Sequence, residues 1–275
     1  GNVIKKADDM ELLKNKVALI TGSGGGIGEG VARYFVKQGA SVVVSELNEG
    51  LGERVAEDLR ALGGNAVFVK TDVSSKASIG NAIEAAAREF GGLDVLVNNA
   101  FAPTPNVLFE EKTDEMLEQT LGTTVWAAWW AMREAMPLMK KRGGGSIINF
   151  YSIDTEIGAW LHADYNTAKS AILGLTRSAA SEWGRFNIRV NAIAPTAMGA
   201  TFHKLAAERP GFAEMSASMR PLGRCGEPED DIGPVVAFLA SEMARFVTGE
   251  ALHVDGGLHL PGYNSRPANV LPREY

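Results

Sequence analysis

Seven short runs of β-branched and apolar residues recur along the chain with helical patterns between them, and this alternation limits the possible folds more than any other feature. The runs are VALITG (17–22), SVVVSE (41–46), AVFVKTD (66–72), DVLVNNA (94–100), SIINFYS (146–152), IRVNAIAP (188–195) and ALHVDGG (251–257). Their unbroken apolar character predicts strands covered on both faces, and the stretches between them are long enough for crossover helices. The pattern is that of an α/β protein: a doubly wound parallel sheet of about seven strands with helices on both faces. The 275 residues, 45% of them apolar, suffice for one sizeable core, so a single domain is expected over residues 15–258. Residues 1–14 read as a polar lead-in. Residues 259–275 belong to a proline-bearing stretch without periodicity and read as an irregular tail. In such sheets a ligand sits outside the carboxyl ends of the strands, where the strand order reverses, so the chemistry is sought there.

The first run leads directly into TGSGGGIG, Thr21 to Gly28, with five glycines in eight residues. G-x-G-x-x-G fails in every register, and no Lys-Ser or Lys-Thr follows to make a P-loop. The spacing that fits is T-G-x-x-x-G-x-G, with Gly22, Gly26 and Gly28. Between a strand and the helical stretch IGEGVARYFVKQG, such a turn leaves backbone N–H groups to face a pyrophosphate at a helix N-terminus, and the missing Cβ atoms permit close approach. The second run ends at Glu46, eighteen residues beyond Gly28. A carboxylate there holds both ribose hydroxyls and repels a 2′-phosphate. No Arg or Lys lies in the glycine loop or between Ser41 and Gly52, so NAD is favoured over NADP. Asp72, closing the third run, either meets the adenine amino group or caps the next helix.

NNA at 98–100 ends the fourth run, YNTAK supplies Tyr165 and Lys169, and Ser152 precedes that tyrosine by thirteen residues. With the glycine spacing, these motifs in this order resemble the short-chain dehydrogenase/reductase family from about Lys16 to Gly257. The resemblance implies a Rossmann-like fold, a nicotinamide cofactor, and hydride transfer between a secondary alcohol and its ketone, with Ser152, Tyr165 and Lys169 as catalytic residues. It also implies that Ile27, Val73, Asn98, Ala100, Pro195 and Met198 lie along the cofactor beside Gly22, Gly26, Gly28, Glu46 and Asp72. Tyr165 and Lys169 share in holding it, Lys169 at the nicotinamide ribose. Gly25 agrees with Glu46, because relatives that prefer NADP often carry a basic residue there.

Tyr165 and Lys169 stand four apart on the helical pattern DYNTAKSAILGLTRSAASEW and so share one face. A phenol with a pKa of about 10 is a poor base at neutral pH. An ammonium ~4 Å away, at an effective dielectric of ~20, favours the phenolate by roughly 4 kcal/mol, or about three pKa units. The expectation is a tyrosine that titrates near working pH as a general acid/base. Ser152 would donate a hydrogen bond to the substrate oxygen.

Three positions depart from the family pattern. Phe101 stands where glycine usually follows Asn-Asn-Ala. Counting back through AMPLMKKRGGGSIINFYS puts the family's catalytic asparagine at Thr124, whose hydroxyl either substitutes or simply packs. Pro195-Thr196 replaces Pro-Gly, which predicts a different backbone path over the nicotinamide. Between Ser152 and Tyr165, the stretch that lines the substrate pocket in this family carries Asp154, Glu156, Trp160 and His162. With Phe101 these are the candidate pocket residues; the charged ones either select a polar or basic substrate or face solvent. Residues 196–215 would form a flexible lid.

The net charge of −6 argues against nucleic acid or an anionic membrane as a partner, and no apolar run approaches the ~18 residues of a membrane span. One cysteine, Cys225, excludes an internal disulfide and suits a reducing compartment, so a cytoplasmic location is expected. His203, His253 and His259 lack metal-ligand spacing, and no metal is expected. Trp126, Trp129 and Trp130 share a helical face by their spacing. In the family this helix pairs with its copy, so a homo-oligomer, a dimer or tetramer, is implied. The expected activity is NAD-dependent exchange of a hydride with a small-molecule secondary alcohol or ketone. Two alternatives stay open: an NADPH-dependent carbonyl reductase of the same fold, and a nucleotide-binding sensor without turnover.

Overall fold

In the computed structural model, which describes residues 11–267, all seven apolar runs pair into one sheet. The strands are β1 (Val17–Thr21), β2 (Ser41–Glu46), β3 (Ala66–Lys70), β4 (Val95–Asn98), β5 (Gly145–Phe150), β6 (Ile188–Pro195) and β7 (Ala251–Val254). Their order is β3-β2-β1-β4-β5-β6-β7, and every neighbouring pair is parallel. Parallel neighbours need crossovers, which are supplied chiefly by α1 (Gly26–Lys37), α2 (Glu49–Ala61), α3 (Lys76–Phe90), α4 (Asp114–Leu121), α5 (Ala127–Lys141), a short α6 (Asp154–Ile157), α7 (Ala163–Trp183), α8 (Ala200–Glu208), α9 (Phe212–Ser218) and α10 (Gly233–Ala240).

The apolar strands lack alternation because both faces are covered; every residue of β1 is buried. One face packs on α1 and α10, where Val31, Phe35, Val236 and Ala237 meet Ile20, Val44 and Ile148. The other packs on α3, α5 and α7, where Ile79, Ile83, Met132 and Met139 meet Leu19, Leu96 and Ile147. Helix starts follow side-chain capping: Asn48 accepts from Leu51 N–H, Ser75 from Ser78 N–H, and Thr113 from Met116 N–H. Ser75, not Asp72, therefore caps α3; Asp72 instead accepts from the N–H and hydroxyl of Ser74 at 2.9 and 2.6 Å.

At the far end of the sheet Asp94 accepts from Val17 N–H at 2.8 Å and from both prongs of the Arg142 guanidinium at 3.0 and 2.8 Å, tying β1, β4 and the end of α5 together. At the near end the order reverses between β1 and β4, which opens a crevice at their carboxyl ends.

Within the expected lead-in, Leu13 is fully buried in the core and its N–H donates to Gln38 O at 2.9 Å. The first ten residues of the lead-in lie outside the described residues. The tail begins with structure as well: Asp255 accepts from His259 N–H at 2.9 Å, and a 3₁₀ turn spans Pro261–Ser265. Residues 268–275 of the expected tail lie outside the described residues. The stretch expected as a lid carries α8 and α9, joined by a contact between the Phe202 and Phe212 rings at 5.3 Å. Among the described residues no helix is long and apolar enough to cross a membrane.

Candidate active site

Each fingerprint glycine is required by its backbone. Gly22 and Gly26 have φ of +65° and +54°, in the left-handed region that favours glycine. At Gly28 a Cβ would lie 2.4 Å from Gly22 O, so a side chain there would open the turn. Helix α1 starts at Gly26 with no side-chain cap, which leaves its N-terminus to be met by a ligand. Beside the turn lies a groove of about 550 Å³ lined by Gly22, Ile27, Glu46, Asp72, Val73 and Ala100 among others. Phe101 and Phe202 also line it. Of the other expected cofactor residues, Asn98 lies deeper, donating to Asn149 Oδ1 at 2.8 Å, while Pro195 ends β6. Met198 N–H donates to Gly226 O at 2.8 Å at the foot of α8.

Glu46 does more than end β2. Its carboxylate accepts from the N–H groups of Gly24, Leu47 and Asn48 at 3.0, 2.9 and 3.0 Å, fixing an anion against the glycine turn. A Cβ on Gly24 would come within 2.6 Å of Glu46 Cγ, which explains a further glycine in the run. The sequence window around Glu46 holds no cation, yet α2 swings Arg54 to the loop, where its guanidinium donates to Gly24 O at 3.2 Å. That guanidinium is bound by Glu29 at 2.7 Å and Asp58 at 3.2 Å, and Arg33 closes the cluster on the same two carboxylates. Burial raises the Glu29 pKa, but the two guanidiniums outweigh it and hold the carboxyl below its ordinary range.

Two further residues clamp the turn. Asn99 donates from Nδ2 to Thr21 O and Gly22 O at 2.9 and 3.0 Å, and Thr21 Oγ1 accepts from the N–H groups of Asn99 and Ala100, both at 3.1 Å. Their signal was present in the strings TG and NNA, without any indication that they bond to each other across β1 and β4.

Ser152 lies just past β5, and Tyr165 and Lys169 project from α7 toward it. The Ser152 hydroxyl lies beside the Tyr165 phenol, where it acts to lower the phenol's pKa. Lys169 is buried, and its ammonium donates to Phe150 O at 2.8 Å and lies 5.7 Å from the centre of the Tyr165 ring. The expected lysine-lowered phenol is not what this arrangement gives. Burial pushes the Tyr165 phenol up, opposed by the Ser152 hydrogen bond and reinforced by the Asp154 charge. Burial also pulls the Lys169 ammonium down to about 8. Desolvation dominates both shifts because both groups are shielded from water.

Thr124 lies in a π-helical turn, Gly122–Trp126, between α4 and α5. It is buried, and its hydroxyl has no hydrogen-bond partner among the described residues. It borders a cavity of about 10 Å³ shared with Asn98 and Lys169, room for about one water. At the Pro-Gly departure, Thr196 N–H donates to Val254 O at 3.0 Å and its buried hydroxyl is likewise unpartnered.

The candidate substrate residues divide. Asp154 opens α6 with its N–H donating to Ser152 Oγ at 3.2 Å, and its carboxylate is 2.7 Å from His162 Nδ1. The His162 ring stands edge-on to Tyr165 at 5.7 Å, and the Phe101 ring packs against Tyr165 at 5.5 Å. Glu156 turns away, with His253 Nε2 at 3.0 Å from each of its oxygens, and His253 stacks on His259 at 4.0 Å. Trp160 is 83% exposed, so it is not packed into the core. The tryptophans divide too: Trp126 stacks on Trp130 at 5.7 Å, and Trp129, 42% exposed, edges an open groove of about 530 Å³ between α5 and α7. Among the described residues no group of His, Cys, Asp and Glu is placed to hold a metal.

A parallel sheet with a glycine turn at its reversal, a carboxylate at the end of β2 and a Ser-Tyr-Lys set beyond β5 defines a nicotinamide-dependent oxidoreductase fold. A family model described as enoyl-(acyl carrier protein) reductase matches residues 22–259, and the chain belongs to the short-chain dehydrogenase/reductase family. Among its relatives is the L-rhamnose 1-dehydrogenase (NAD(P)(+)) of Azotobacter vinelandii, 38% identical over 90% of this chain and 98% of that protein. A 2,5-dichloro-2,5-cyclohexadiene-1,4-diol dehydrogenase of Sphingobium indicum is 37% identical over 89% of this chain and 96% of that protein. The cyclohexanol dehydrogenase of an Acinetobacter strain is 37% identical over 88% and 94% respectively.

Proposed function

We propose that the protein is an NAD-dependent dehydrogenase of a secondary alcohol carried on a ring, acting reversibly on the matching ketone. The observation that carries this reading is the juxtaposition of Ser152 and Tyr165, with Lys169 one turn further along α7 and with Phe101, which packs on Tyr165, lining the glycine-turn groove. The ring alcohol is supported by the names of the relatives, which specify rhamnose, cyclohexanol and a cyclohexadiene-diol.

The groove suits a nicotinamide dinucleotide: Gly22, Gly24 and Gly28 keep the turn tight where a Cβ would collide, Gly25 offers bare backbone with open space before it, and the uncapped start of α1 lies beside it. Gly22, Gly26, Ile27 and Gly28 would hold the pyrophosphate, Glu46 the adenosine ribose, Asp72 and Val73 the adenine, and Asn98, Ala100, Pro195 and Met198 the remainder. When bound, the cofactor supplies the hydride acceptor, or the donor in the reverse direction. Tyr165 takes the carbinol proton at its phenolic oxygen, Ser152 donates to the substrate oxygen, and Lys169 holds the nicotinamide ribose. Thr124, with a free hydroxyl one water from Lys169, stands in for the usual asparagine. NAD is preferred because the Glu46 carboxylate faces the ribose side of the groove and Arg54 is already paired with Glu29 and Asp58. We further read the catalytic domain as running to about residue 258, and the protein as a cytoplasmic homo-oligomer, a dimer or tetramer, that buries the Trp129 groove.

Oxidation of cyclohexanol followed at 340 nm, with NAD and with NADP, tests the reading. NAD is expected to give the higher kcat/KM, and Tyr165→Phe to lower kcat about a thousandfold. Undiminished turnover in that variant, or a preference for NADP, overturns it.

A further inference from the structure

We infer that the Asp154–His162 pair is a specificity device that binds a second hydroxyl of the substrate, so that the preferred substrates are vicinal ring diols and not simple ring alcohols. The inference rests on the proposed function of the same site and adds the substrate class.

Tyr165 lies between two unlike rings. Phe101, half exposed, packs on it at 5.5 Å, and His162 meets it edge-on at 5.7 Å. These contacts put an apolar wall and a polar wall beside the tyrosine. The polar wall is held in place. A carboxylate only accepts, so His162 Nδ1 carries the hydrogen in its 2.7 Å contact with Asp154 Oδ2. Asp154 is itself anchored by its N–H on Ser152 Oγ at 3.2 Å.

With Nδ1 committed, Nε2 is left without a partner among the described residues. A neutral imidazole offers a lone pair there and a protonated one offers N–H; a hydroxyl satisfies both, as acceptor or donor. A carboxylate on the substrate would instead meet the Asp154 charge. The imidazole, tied through Asp154 to Ser152 Oγ, stands 5.7 Å from the Tyr165 ring, which sets an oxygen held on its free edge close to the reacting one. Adjoining oxygens belong to neighbouring carbons. Phe101 then takes the apolar face of the ring, a contact that the glycine usual in the family lacks.

The test is affinity of the NADH-loaded protein for cyclohexane-1,2-diol and for cyclohexanol, read from NADH fluorescence without any need for turnover. The diol is expected to bind at least about tenfold more tightly, the fold-change of one net hydrogen bond at a half-open site. His162→Phe, which keeps a ring, and Asp154→Ala, which releases the imidazole, are each expected to bring the ratio of the two dissociation constants to about one, and His162→Gln to restore part of it. Equal affinities in the unaltered protein, or a ratio that survives both of the first two variants, overturn the inference. Selective diol binding without NADH formation from NAD supports the inference and overturns the dehydrogenase reading. No NADH-dependent binding of either alcohol overturns both.

Discussion

Burial sets the charge state at Lys169, and the sign of the shift yields a stability prediction. The folded protein holds this proton only to about pH 8, against 10.5 for the free side chain, so the unfolded chain binds protons more tightly between those values. Stability therefore rises as pH climbs from about 8 to 10.5, and the full cost is present below 8. The shift corresponds to about 3 kcal/mol. Lys169→Met is expected to stabilise the cofactor-free protein by about that amount at pH 7, with the gain gone above pH ~10.5, as read from urea unfolding. The same variant is expected to lose turnover, which would make Lys169 a site where function is retained against stability. Glu46 sits on the opposite side of this balance. Its hydrogen bond from Gly24 N–H ties the end of β2 to the glycine turn, so Glu46→Ala is expected to weaken NAD binding and narrow the margin over NADP, as measured by calorimetric titration.

At the scale of elements, the start of α7 is positioned by an ion pair. Asp164, adjacent to Tyr165, is buried with the Lys112 ammonium at 2.8 Å and hydroxyls of Thr104 and Thr120 at 2.5 and 3.1 Å. Burial alone would raise this carboxyl, yet the Lys112 and hydroxyl contacts override it and lower its pKa to about 2. The contribution is present above the unfolded value of 3.8 and is lost as pH falls through about 2, on the order of 2 kcal/mol. Asp164→Asn is expected to remove that acid dependence and, by leaving Lys112 buried beside a neutral group, to lower stability at pH 7 by about 3–5 kcal/mol in urea unfolding. The packing of α1 offers a second check. A Cβ on Gly30 would lie 2.5 Å from the backbone carbon of Pro228, so Gly30→Ala is expected to cost about 1–3 kcal/mol, since neither segment can yield at a side chain.

For the whole molecule, the groove lies where the two halves of the sheet diverge, so a ligand there bridges both. NAD at a hundred times its dissociation constant is expected to add about 2.7 kcal/mol, or roughly 5–10 °C in the melting temperature, and NADP less at equal concentration. Gly22→Val should abolish the shift while the protein remains folded, because the substitution strains one turn at the rim and leaves both cores intact. A scanning fluorimetry series over the two cofactors reads both outcomes.

The parallel sheet was legible because strands buried on both faces must be apolar throughout, and the glycine turn because only glycine tolerates the φ values at positions 22 and 26. Tyr165 and Lys169 were legible as neighbours because helical spacing is local. What the chain order could not carry was contact between distant segments. It could not show that Arg54 of α2 reaches Gly24, that Glu156 turns to His253 while Asp154 turns to His162, or that Trp160 is left in solvent. Nor could it show that Phe150 O engages Lys169, or that burial pushes the Tyr165 phenol up. Periodicity and backbone constraint thus determined the fold and the cofactor turn. The charge states and the partners of the substrate-side residues were decided by tertiary structure, because desolvation and hydrogen bonding depend on which atoms surround a group.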